Sequence, residues 1–194
     1  MEEVLGYLKI SVKRGINLAR RDLFSSDPYA VVKMGQQSLK TRTILQNRYP
    51  EWNQDLLLSV TDPNTPVFLK VYDKDAFTGD DEMGEAVVDI KPFLEAVRTA
   101  PPEPPVGSHV MSLPPNPHNC LSKPSVIMVS GSGKITQEMK VRLRNVESGE
   151  VELKLEWVNA GGCKGFCRGR FASGFHTAAR SSQLLSLHSK DGYA

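Results

Sequence analysis

At 194 residues the chain has room for one good-sized domain with appendages, which excludes a large multidomain enzyme. Hydrophobic residues at 40% and charged residues at 24% sit near globular averages, excluding both a disordered and a membrane-embedded chain. A formal charge of +2 is too balanced for binding to nucleic acid by bulk charge. The charge is nevertheless unevenly spread. From Asn159 onward Lys164, Arg168, Arg170, Arg180 and Lys190 face only Asp191, so that segment carries +4 and residues 1–158 carry −2.

Taken in chain order, much of the body alternates apolar and polar residues, the spacing of a half-buried strand. Leu8, Ile10 and Val12 alternate with Lys9 and Ser11, and the pattern predicts further strands over 29–34, 39–44, 52–60, 67–72, 83–90 and 138–146. The eighth strand places Val151, Leu153, Leu155 and Trp157 on one face, with Glu152, Lys154 and Glu156 between them. Turn residues separate the candidates, as in Ser-Ser-Asp-Pro at 25–28 and Asp-Pro-Asn at 62–64. Only 92–97 reads as helix, with proline at its start. Eight short strands with such turns predict an all-β, two-sheet antiparallel sandwich.

Two segments break the pattern. Eight prolines between Arg98 and Pro124 cannot join a central strand, because each lacks the backbone donor of the ladder. Residues 98–137 are therefore expected to be an insertion, partly extended, with an extra hairpin suggested by Val126–Val129 and Gly131-Ser-Gly133. From Asn159 to Ala194 the chain is basic, rich in glycine and without alternation, and is expected to be a disordered tail to a domain spanning 1–158. Cys120, Cys163 and Cys167 are odd in number and late, which argues against a disulfide framework. With no apolar run near the ~18 residues of a membrane span, the expectation is a soluble protein of the reducing cytosol.

Carboxylates concentrate in two loops. Asp22 and Asp27 stand in the first; Asp73, Asp75, Asp80, Asp81 and Glu82 follow the strand over 67–72 in the second. A single aspartate in a turn is an ordinary turn former. Several crowded at one end of a sandwich must either hold protons or recruit a cation, and calcium, which takes six to eight oxygens in flexible geometry, suits loop carboxylates best. No Asp-x-Asp-x-Asp-Gly run precedes a helix, so this is not an EF-hand. Elsewhere, Lys40 and Arg42 are expected to share a strand face that Lys33 joins from the neighbouring strand.

Gly6-Tyr-Leu-Lys-Ile-Ser-Val-Lys-Arg-Gly-Ile-Asn-Leu, Asp27-Pro-Tyr29, Asn47-Arg-Tyr-Pro-Glu-Trp52-Asn53 and Val71-Tyr-Asp-Lys-Asp75 resemble a C2 domain. The whole of residues 1–158 is similar to the plant C2-domain abscisic-acid-related proteins, in which an extra segment precedes the last two strands, where Arg98 to Gln137 falls. The resemblance implies an eight-stranded C2 sandwich, calcium-dependent binding to anionic phospholipid at the plasma membrane from the cytoplasm, and adaptor function in abscisic-acid signalling. It implies calcium ligation by Asp22, Asp27, Asp73, Asp75 and Asp81 with the backbone carbonyls of Arg21 and Lys74, leaving Asp80 and Glu82 as outer negative charge. Phe24 and Phe77, lying between those ligands, would meet the membrane at the tip. Lys33, Lys40 and Arg42 would hold phosphoinositide headgroups. The implied partners are abscisic-acid receptors carried on the insertion, whose Val126, Ile127 and Met128 need covering, and, as an alternative function, an Obg-like ATPase or GTPase whose turnover the chain stimulates. A chain this small would also reach the nucleus by diffusion. The tail is where the sequence departs from the family.

No chemistry by the chain itself is expected. Gly131-Ser-Gly133-Lys134 lacks the upstream glycine and the serine or threonine of a phosphate loop, and Cys163, Cys167 and His176 lack zinc spacing. A magnesium-dependent hydrolase is the weakest reading, because no nucleophile or paired general base is visible.

Overall fold

The computed structural model describes residues 4–21, 26–75, 79–101 and 103–159. Its strands are β1 (Gly6–Ile16), β2 (Pro28–Met34), β3 (Gln37–Lys40), β4 (Glu51–Val60), β5 (Val67–Asp73), β6 (Asp81–Val88), β7 (His109–Leu113), β8 (Ser125–Val129), β9 (Ile135–Arg142) and β10 (Glu150–Val158). A helix, α1 (Lys91–Thr99), lies between β6 and β7. Pro92 sits in its first turn, where a missing N–H costs nothing, and it turns Phe93, Leu94, Ala96 and Val97 onto the core.

The strands form two antiparallel sheets, in the orders β4-β1-β10-β9-β8-β7 and β3-β2-β5-β6. Alternation does what the sequence predicts: Leu8, Ile10 and Val12 of β1 and Val151, Leu153 and Leu155 of β10 point inward, each at most 2% exposed. They meet Ala30, Val32, Leu69, Val71 and Met83 from the facing sheet in one core. Trp52 is also buried there, and its indole N–H donates to the Pro28 carbonyl at 3.2 Å.

Three differences from the sequence reading have physical causes. β3 ends at Lys40 instead of running to Ile44. The buried Thr41 hydroxyl accepts the Ala30 N–H at 2.9 Å, a place a backbone carbonyl would take in a continuing ladder. Secondly, β9 opens at Ile135, because Ser130 and Lys134 close a tight turn around Gly133 (φ +74) that pairs Val129 with Ile135. Thirdly, the proline-containing segment adds the β7–β8 pair to the edge of the larger sheet, giving ten strands among the described residues instead of eight. Ile127 is fully buried in the sandwich, while Met128 on the other face of β8 is 37% exposed. Residues 160–194 of the tail that was expected to be disordered lie outside the described residues.

Candidate metal and membrane site

The two acidic loops meet where β2 begins and β5 ends. Pro28 pairs with Asp73, and Asp73 with Asp81 of β6. The Asp27 N–H donates to Asp73 Oδ1 at 2.6 Å, and the Lys74 N–H returns a bond to the Asp27 carbonyl at 3.0 Å. Antiparallel pairing therefore brings together loops that are 46 residues apart in sequence.

Asp73 is only 1% exposed, and its Oδ2 is buried with no hydrogen-bond partner among the described residues. A buried carboxylate oxygen without a donor is costly, and a cation is one of the few groups that relieves it. Two neighbouring carboxylates, Asp27 and Asp80, accept hydrogen bonds of their own. Asp27 Oδ1 accepts the Gln46 N–H at 2.7 Å. Asp80 accepts from Lys74 Nζ at 2.8 Å, from the Tyr29 hydroxyl at 2.6 Å and from the Asp75 N–H at 3.2 Å. The Lys74 ammonium, followed by the Tyr29 hydroxyl, holds the Asp80 carboxyl down at about 2, and burial beside Asp80 pushes the Tyr29 phenol up to about 12. Among the described residues, no three His, Cys, Asp or Glu side chains are gathered as a ready-made metal group. Asp22, Phe24 and Phe77 lie outside the described residues.

Sequence reasoning valued Arg21 and Lys74 for their carbonyls and missed what their side chains do. The Arg21 guanidinium donates to the Glu82 carbonyl at 3.0 Å and to Glu147 at 3.1 Å, tying the first loop to the start of β6 and to the β9–β10 connection. Lys74 holds Asp80 away as described. Tyr29 was missed as well; its only signal was a polar-tipped aromatic two residues after Asp27 on an outward strand position.

The outer face of the smaller sheet carries Lys33, which pairs with Ser38 and Phe68, and Lys40, which pairs with Val31. Lys40 Nζ lies 5.9 Å from the Tyr29 ring centroid, and Tyr29 stacks on Tyr72 at 5.6 Å. Arg42 stands beyond the end of β3, its N–H bonded to Gln54 and its guanidinium to the Glu51 carbonyl at 3.2 Å. The alternation expected to set it beside Lys40 stops with β3 at Lys40, two residues before Arg42.

A family model of the C2 domain matches residues 6–103. C2-DOMAIN ABA-RELATED 6 of Arabidopsis thaliana is 52% identical over 163 residues, covering 84% of this chain and 93% of the relative. C2-DOMAIN ABA-RELATED 1 of the same plant is 52% identical over 168 residues, covering 85% and 99%. The chain belongs to the C2-domain ABA-related proteins. Among solved structures, a pair of C2 domains from extended-synaptotagmin 2, with calcium bound, matches with a TM-score of 0.56 at 21% identity over 82% of this chain and 48% of theirs. A C2 domain of plant extended synaptotagmin 1 matches at 0.51 and 21% identity, covering 81% and 98%. At such identity the two structures speak for the fold alone. In this family member β1 to β6 and α1 fall inside the C2 match, whereas β7 to β10 lie beyond it.

Proposed function

We propose that this C2-domain ABA-related protein is a calcium-dependent phospholipid-binding adaptor that carries abscisic-acid receptors to the plasma membrane and so promotes abscisic-acid signalling. The observation that carries the calcium reading is Asp73 Oδ2, a buried carboxylate oxygen without a donor among the described residues, on the strand that joins both acidic loops. The donor set is all oxygen and suits a hard cation. Asp22, Asp27, Asp73, Asp75 and Asp81 would hold Ca²⁺, with the carbonyls of Arg21 and Lys74 completing the shell. When bound, the ion cancels the negative field that repels anionic lipid. Phe24 and Phe77 would then enter the interface, while Lys33 and Lys40 would face the headgroups from the outer face of the same sheet and Arg42 would contribute from the β3–β4 connection.

The domain responsible is taken as residues 1–158, with the β7–β8 pair as the surface that carries the receptor. Stimulation of an Obg-like ATPase is the alternative function, checked by titrating the chain into the ATPase and following turnover.

Co-sedimentation of the full chain with phosphatidylserine vesicles, in calcium and in chelator, tests the main reading beside Asp22→Ala combined with Asp27→Ala. Binding that needs both calcium and the aspartates is expected. Equal pelleting in calcium and chelator overturns the calcium switch and moves the membrane contact to the lysines.

A further inference from the structure

The connection between β3 and β4 holds Leu45 at 71% exposure, more than any other large apolar side chain among the described residues. A single exposed leucine is ordinary on a protein surface, so its place in the fold decides what it can do. That place is fixed by N–H groups of its own turn. The Ile44 N–H donates to the Pro28 carbonyl at 3.1 Å, the Gln46 N–H to Asp27 Oδ1 at 2.7 Å and the Asn47 N–H to the Ser26 carbonyl at 3.0 Å. Leu45 therefore stands between anchors on either side, at the end of the sandwich where Pro28 pairs with Asp73 and the two acidic loops meet.

The turn is held in an uncommon shape. Gln46 takes a left-handed backbone (φ +51), which residues other than glycine, asparagine and aspartate rarely adopt. Its N–H is held by the Asp27 carboxylate, so the side chain that would ligate calcium also orients the turn that carries Leu45. Farther along, the Leu18 N–H donates to the Arg48 carbonyl at 3.0 Å and the Arg48 guanidinium donates to the Leu18 carbonyl at 2.7 Å. A turn tied on both sides loses little further backbone freedom when a surface takes up its side chain.

The surroundings of Leu45 suit headgroups. Ile44 packs back on the core, and Thr43, Gln46, Asn47 and Arg48 form a polar setting, unlike the apolar centre of a protein contact. The nearby carboxylates repel an anionic surface until a cation cancels their field. Leu57 is the contrast: it is 51% exposed but lies opposite Lys9 within β4, on the outward face of the larger sheet and away from the acidic loops.

We propose that Leu45 is a further membrane-entering side chain, on a loop that belongs to neither acidic segment, and that it enters the boundary between headgroups and acyl chains of an anionic bilayer when calcium occupies the acidic loops. The inference rests on the calcium-dependent membrane binding proposed above and adds the β3–β4 turn to the contact. The leucine supplies apolar area, and Asp27 ties its position to the metal site.

Leu45→Trp and Leu57→Trp, each in the full chain, are mixed with phosphatidylserine vesicles whose acyl chains carry bromine, and tryptophan fluorescence is followed in calcium and in chelator. The parent, whose Trp52 and Trp157 are buried, supplies the background. A blue shift and quenching that require calcium are expected for Leu45→Trp alone. In co-sedimentation, Leu45→Ser should bind about tenfold more weakly in calcium than the parent, with Leu45→Phe restoring binding and Leu57→Ser leaving it unchanged. If the parent pellets only in calcium, the inference is overturned by equal binding of Leu45→Ser, by an equal loss in Leu57→Ser, or by unquenched Leu45→Trp on vesicles that pellet it; calcium-dependent binding itself then stands. Pelleting of the parent that ignores calcium overturns that underlying reading and this inference together.

Discussion

Asp73 shows how much one side chain can carry. It ends β5, accepts the Asp27 N–H through Oδ1, and keeps Oδ2 buried with no donor among the described residues, so in the absence of a cation its charge is a local cost. Asp73→Asn keeps the acceptor for Asp27 and removes the charge. We expect this variant to lose calcium-dependent vesicle binding while its thermal midpoint in chelator stays the same or rises by a few degrees, the equivalent of about 1 kcal/mol. A scan in calcium should show the opposite order, because only the parent gains from the ion. At this scale the sequence was a good guide to which residues are acidic and near one another along the chain. It gave no hint that Asp80 would be drawn to Lys74 and Tyr29, since Tyr29 lies 51 residues away and meets Asp80 only through the pairing of β2 with β5.

At the scale of elements, the outward face of the larger sheet is a lattice of ion pairs. Glu152 accepts from Arg14 at 2.8 Å and lies 3.3 Å from Lys140, while Glu156 lies 2.7 Å from Lys134 and 3.2 Å from Lys9. Arg14 and then Lys140 hold the Glu152 carboxyl below its ordinary value of 4.5. Burial pushes Glu156 up, yet Lys134 and Lys9 outweigh it and its carboxyl also lies low. A carboxyl depressed in the folded state stabilises fully above its unfolded value, and that contribution is lost as pH falls through the folded one. The thermal midpoint should therefore hold above about pH 5 and drop below about pH 4.5. Combining Glu152→Gln with Glu156→Gln should flatten that drop and cost at neutral pH about 1 kcal/mol or less per pair, since these partners are partly open to solvent. Calorimetry across pH checks both. The lattice was half visible beforehand: the alternation of Glu152, Lys154 and Glu156 marked an outward face, but their partners on β1, on β9 and in the turn that precedes β9 follow from register.

For the whole molecule, β1 is the hub. It lies between β4 and β10, so Leu8 stands opposite Leu58 on one side and Trp157 on the other, fully buried. Leu8→Ala should cost about 2–5 kcal/mol, seen as a lower urea midpoint with an unchanged slope. Leu57→Ala, on the outward face of β4 at 51% exposure, should change stability by about 0.5 kcal/mol at most.

What the sequence determined by itself was whatever depends on neighbours along the chain. Alternation marked β1, β5 and β10, proline marked the start of α1, and clustered aspartates marked two loops. Tertiary structure decided the rest, because a backbone donor or acceptor is satisfied by whichever distant strand comes opposite it. That choice stopped β3 short of Thr41 and turned Arg42 away from Lys40, set β8 against β9 and β7 against β8, and brought Asp27 to Asp73. It also left two buried oxygens, on Asp73 and Gln137, without partners among the described residues.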